Sequence, residues 1–244
     1  MSSAIETGHA KNVANFSTLI SFCMANPAYN PAAPPLTIAG LTSKHTAART
    51  ALDNVIATGN AFNNAVNSRK TAFAALCPFA TRVINALEAS GATAETIKDA
   101  RTINRKLQGQ RATKKEPAAA AATSGNTPNT ISASQQSYDQ LTVHFSKLIS
   151  LVTSVPAYAP NETDINTAAL NAKLSSLQTI SSAVADAYTA WSNSRIVRQN
   201  ELYHTDTGLV AIAGKVKKYV KSVSGAGSPQ YRQLSALLFK AEIR

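Results

Sequence analysis

Lys98, Arg101, Arg105 and Lys106 lie close together in KDARTINRKLQGQRATKK, and Arg111, Lys114 and Lys115 carry the basic run onward. At about 100° per residue, the first four share one arc of a helix and Ile97, Ala100, Ile103 and Leu107 share the opposite one. A second cluster, Lys215, Lys217, Lys218 and Lys221 in GKVKKYVKSV, faces away from Val216, Tyr219, Val220 and Val223. Cationic groups on an exposed helix face suit contact with phosphates, because they neutralise a polyanion and release its counterions without reading a base. Neither cluster interleaves its cations with the Asn/Gln and aromatic pattern that base readout or stacking requires. The expected contact therefore has little sequence preference.

Arg69 and Arg195 stand apart, because the periodic pattern puts both on the apolar seam of a long helix. An arginine there must be paired or must reach the rim, since an unpaired buried charge is costly. Two readings are open: a structural pair with a carboxylate or loop carbonyls, and an anion pocket repeated once per half. The remaining side chains offer no catalytic pattern. His9, His45, His144 and His204 lack metal-ligand spacing, and Asp53, Glu88, Asp186 and Glu201 read as isolated surface carboxylates. No Walker loop, GxGxxG, GxSxG, HExxH or CxxC occurs. Cys23 and Cys77, the only cysteines, sit in apolar helical patterns and read as buried free thiols. The expectation is a non-enzymatic protein with no cofactor and no metal.

The elements that would hold these residues are written twice. FSTLISFCMANPAYNP at 16–31 returns as FSKLISLVTSVPAYAP at 145–160, with nine of sixteen positions identical at an offset of 129. Asn67-Ser68-Arg69 matches Asn193-Ser194-Arg195 at an offset of 126, which implies a loss of three residues in the second copy. Arg82-Val83 matches Lys215-Val216 at 133. In each copy an amphipathic segment ends at Pro27 or Pro156, because proline pushes its predecessor out of the helical region. The tyrosine that follows is expected to plug the space between the first two helices.

A long helix over about 38–76 comes next, carried by Leu41, Ala48, Leu52, Val55, Phe62, Val66, Phe73 and Leu76. Its counterpart is carried by Leu170, Leu174, Leu177, Val184, Tyr188, Trp191 and Leu202. Cys77-Pro78 and Asp206-Thr207-Gly208 break the chain before a third helix, and Ser228-Pro229 starts a fourth in the second copy. The expected fold is all-α: two tandem similar helical bundles, 1–113 and 137–244, each with one long spine helix and about three shorter ones. An Ala/Ser/Thr-rich linker at 114–136 joins them.

GHAKNVANF, TRVINALEASGA, TINRKLQGQRA, SQQSYDQ and VKKYVKSVSGAGSPQYRQ resemble a family of uncharacterised two-repeat helical proteins from Bacteroidetes-type bacteria. The resemblance covers nearly the whole chain. It implies the helical duplication and carries over no activity, cofactor or catalytic residue.

Composition narrows the classes further. The formal charge of +11 comes from 24 Lys/Arg against 13 Asp/Glu, which favours polyanionic partners. Only 15% of residues are charged, so much of the surface must be Ser, Thr, Asn and Ala, which also suits contact between protein copies. No apolar run of about 18 residues predicts a membrane span, and MSSAIETGHAKNVANF carries no secretory signal, so a cytoplasmic protein is expected. Export by a route without an N-terminal mark stays open. The leading expectation is a basic module contacting nucleic acid or a ribonucleoprotein through phosphates. The alternative is a self-assembling scaffold that forms homo-oligomers or filaments.

Overall fold

The computed structural model describes residues 4–110 and 136–240. All the regular structure among these residues is helical, and no strand occurs among them. In chain order the elements are α1 (Ala4–Met24), a 3-10 turn (Pro34–Leu36), α2 (Ile38–Ala74), α3 (Leu76–Ala89), α4 (Ala94–Leu107), α5 (Tyr138–Thr153), α6 (Thr167–Tyr203), α7 (Leu209–Ser224) and α8 (Pro229–Ala236).

The two spine helices, α2 and α6, are each 37 residues long and start and end at the same offset of 129. No residue is lost within the second spine, contrary to the match of the two Asn-Ser-Arg triplets. The length difference lies after the spine. Ala75 alone separates α2 from α3, whereas residues 204–208 separate α6 from α7. The first spine stops at Ala74, slightly short of the expected end, and Pro78 falls in the first turn of α3, where its missing N–H is harmless.

Two compact units result, and neither coincides with a half of the sequence. The central unit is Asn64–Ala185; the terminal unit joins Met1–Asn63 to Asp186–Arg244. Both boundaries fall inside the spine helices. In the central unit α5, a first helix, packs on α3 and α4, the third and fourth helices of the other copy. Its core takes Leu76, Ala80, Val83 and Leu87 from α3, Ala100 and Leu107 from α4, and Phe145, Leu148 and Val152 from α5. Fully burying such side chains contributes about 1.5–3 kcal/mol each. In the terminal unit α1 packs on α7 and α8 by the same exchange, with Phe16, Leu19, Leu209, Val216 and Val220 in the core. Asn12, 1% exposed, fixes the segment after α8 there: its side-chain oxygen accepts from Lys240 N at 2.9 Å and its amide donates to Lys240 O at 3.0 Å.

The tyrosines of the repeated Pro-Ala-Tyr-x-Pro segment pack into the cores, Tyr158 at 6% exposure and Tyr29 beside Cys23 of α1, and each also holds its own loop. Tyr29 donates to the carbonyl of Leu36 at 2.5 Å and Tyr158 to that of Ile165 at 2.8 Å, so each ring ties its own loop into a closed turn ahead of the spine. The spine N-termini are capped at matching positions. Thr37 Oγ1 accepts from Gly40 N at 3.1 Å, and Asn166 Oδ1 accepts from Ala169 N at 2.8 Å. Gly40 is required by close approach, because a Cβ there would collide with the backbone of Pro34 and Pro35.

Candidate functional site

In the central unit, α4 is built to present charge. Thr93 caps it by accepting from Thr96 N at 3.3 Å, Glu95 lies in its first turn, and Arg105 and Lys106 lie in its last. This order complements the helix dipole. With Ala100 and Leu107 buried against α3 and α5, Lys98, Arg101 and Arg105 line an open groove of about 450 Å³ together with Thr102, Gln108 and Gln110. Arg101 is fixed by Glu88, whose Oε1 accepts from its Nε at 2.8 Å; the pair holds the glutamate below and the guanidinium above its ordinary pKa. Lys98 and Arg105 make no ion pair among the described residues. Each leaves its donors free for an anion.

Two residues depart from the expected wheel. Ile97 lines the groove beside the cations instead of lying opposite them, and Lys106 does not line it. Lys106 instead bears on His144 of α5. Arg111, Lys114 and Lys115 lie outside the described residues, as does the expected linker up to residue 135.

His144 is 3% exposed, and neither ring nitrogen has a hydrogen-bond partner among the described residues. Burial first, then Lys106 and Lys147, lower its pKa below the usual 6.5. The unfolded chain therefore binds the proton at a higher pH than the folded one. This contribution is fully present above about pH 6.5 and is lost as the pH falls below it. Urea unfolding midpoints are expected to drop from pH 7.5 to pH 5, and His144→Leu should flatten that drop. An unchanged pH slope in the variant would remove His144 from the account.

In the terminal unit, α7 runs from its Gly208 cap to Gly225, whose φ of 88° suits glycine. Lys218 and Lys221 are exposed on its outer face, and Lys221 also lies 5.8 Å over the Tyr231 ring. Lys215 donates to the carbonyl of Asp206 at 2.9 Å. Lys217, expected on the basic face, is committed to the fold. It donates to the carbonyl of Leu237 at 2.5 Å, lies 5.3 Å over Phe239, and has its pKa lowered by burial.

The seam arginines also resolve differently. Arg69 places its guanidinium carbon 4.4 Å over the Tyr138 ring, which meets Phe73 edge-on at 4.8 Å. Its Nε is buried with no hydrogen-bond partner among the described residues, so the aromatic face takes the place of the expected carboxylate or carbonyls. Arg195 is exposed and lies 5.3 Å from Trp191, off the seam. The position matching Arg69 at the spine offset is Arg198, which is 5% exposed. The signal was present in steps of seven, Leu41, Ala48, Val55, Phe62, Arg69 and Leu170, Leu177, Val184, Trp191, Arg198. The Asn-Ser-Arg triplet obscured it.

Other reactive groups are subdued. Both thiols are free. Cys23 is buried, and burial pushes it up to about 11 despite its hydrogen bond with Tyr29. Cys77, only partly buried, is also raised. Their thiolates are disfavoured at neutral pH. Glu201 is half-buried and paired with Lys44 at 2.8 Å, not isolated. Among the described residues no three His, Cys, Asp or Glu side chains gather as a metal site, and no helix is long and apolar enough to cross a membrane. Comparison with family models, curated proteins and solved structures finds no match to this chain. Its chemistry has to be argued from the groove itself. Two cations with no ion pair among the described residues, beside a third held by Glu88, form a surface whose chemistry suits an anion such as a phosphate.

Proposed function

We propose that this chain is a non-enzymatic basic module of the cytoplasm, a duplicated helical protein that contacts nucleic acid or an RNA-rich assembly through phosphates. The observation that carries the reading is the α4 groove, where Lys98 and Arg105 stand unpaired beside the braced Arg101. A formal charge of +11 adds long-range attraction. Fluorescence anisotropy with mixed-sequence RNA and DNA should show affinity that falls steeply with salt. The double variant Lys98→Gln with Arg105→Gln should bind more weakly and lower the log–log salt slope by about 2, one for each phosphate no longer neutralised. Absence of binding at low salt, or binding indifferent to salt, would end this reading.

The alternative, a self-assembling scaffold, draws on exposed apolar side chains of α6: Tyr188 at 55%, Ile196 at 57% and Val197 at 53% exposure. Light scattering across the same salt series separates the two. Assembly that grows with salt and ignores nucleic acid supports the scaffold.

A further inference from the structure

A cleft of about 500 Å³ opens in the terminal unit among the 3-10 turn, the start of α2, the end of α6 and the start of α7. Leu36 and Ile212 give it an apolar floor, and Lys44, Glu201, Asp206 and Lys215 supply charge at its walls. Lys44 and Glu201 pair at 2.8 Å with side chains only 19% and 31% exposed. Lys215 spends one donor on the carbonyl of Asp206. An ammonium has three donors and a carboxylate two oxygens, so each of these groups keeps capacity for a ligand.

The repeat register explains why the hollow exists. Lys44 matches Lys173 at the spine offset, and Ile212 matches Phe79 at the third-helix offset. In the central unit Lys173 lies 5.0 Å over the Phe79 ring, so ring and ammonium close on each other. In the terminal unit the ring is replaced by the shorter Ile212. Glu201 stands where the other spine has Ala72, and Lys44 turns to it. The same place lacks a ring and gains a carboxylate.

We propose that this cleft binds a small zwitterion with an apolar body, an apolar dipeptide or amino acid. The ligand carboxylate takes the spare donors of Lys44 and Lys215, its ammonium takes the unused oxygen of Glu201, and its side chains cover Leu36 and Ile212. The volume lies in the range of small-molecule pockets, and the partly withdrawn ion pair is less screened than a surface pair. The proposal does not depend on the nucleic-acid reading.

The test is a titration of the 15N-labelled full chain with leucyl-leucine, followed by backbone amide shifts. Saturable shifts around Lys44 and Ile212 are expected, and blocking both ends as N-acetyl-leucyl-leucine amide should weaken binding by at least about tenfold. Ile212→Phe, which installs the ring that the other repeat carries, should abolish binding while the far-UV circular dichroism signal of the folded chain is retained. Should that variant fail to fold, Ala47→Trp fills the cleft from an exposed wall position. No saturable shift up to about 10 mM, equal binding of the doubly blocked peptide, or undiminished binding in the filled variant overturns the proposal.

Discussion

Divided by removal of residues 114–136, the chain is expected to give two pieces, 1–113 and 137–244, that do not fold separately and that regain helical structure when mixed. The reason is the exchange of first helices. α1 buries Phe16 and Leu19 against α7 and α8, and α5 buries Phe145 and Leu148 against α3 and α4, so each piece lacks the surface that its own first helix needs. The contiguous piece 64–185 holds every residue of the central core and should unfold cooperatively by itself. Circular dichroism with urea titration of the three pieces decides the matter. Cooperative unfolding of 1–113 alone would show that the exchange is not needed for stability.

Phe145→Ala is the point substitution expected to cost most, about 3–5 kcal/mol. The ring is fully buried in the central core and meets Phe79 edge-on at 6.1 Å. Its removal leaves a cavity among Leu76, Val83 and Leu148, whose backbones are fixed by their helices. Against a typical total of about 5–15 kcal/mol this is a large fraction. On the same helix Val143, 43% exposed, should tolerate alanine within about 0.5 kcal/mol. Urea midpoints of the two variants at one pH measure the contrast, and a cost for Phe145→Ala below about 1 kcal/mol would mean that the core is not packed as described.

Local pattern was legible in the sequence wherever burial follows a period. The seam through Leu41, Ala48 and Val55, the stop before Pro27, and the cap at Ser228 all depend on residues close in the chain, and each lies where the spacing puts it. What was not legible was which helix each face meets. A periodic stripe on α1 reads the same whether it packs on α3 or on α7, so the linker suggested halves where the packing is exchanged. The site suffered in a similar way. Lys98, Arg101 and Arg105 share a groove as their spacing implies, but only tertiary contacts reveal that Lys217 holds the segment after α8 and that Lys106 bears on His144. Arg198 was missed for a different reason. A chance triplet identity outweighed a register that two equal 37-residue helices preserve.

The terminal unit closes only when Asp186–Arg244 has joined Met1–Asn63. On a ribosome adding about 5–20 residues per second, the 59 residues of Asp186–Arg244 take about 3–12 s. Through that interval the central unit already has all its residues, while Phe16, Leu19 and Cys23 of α1 have been synthesised with no α7 or α8 to cover them. α1 therefore stays uncovered until helices made after the whole central unit reach it.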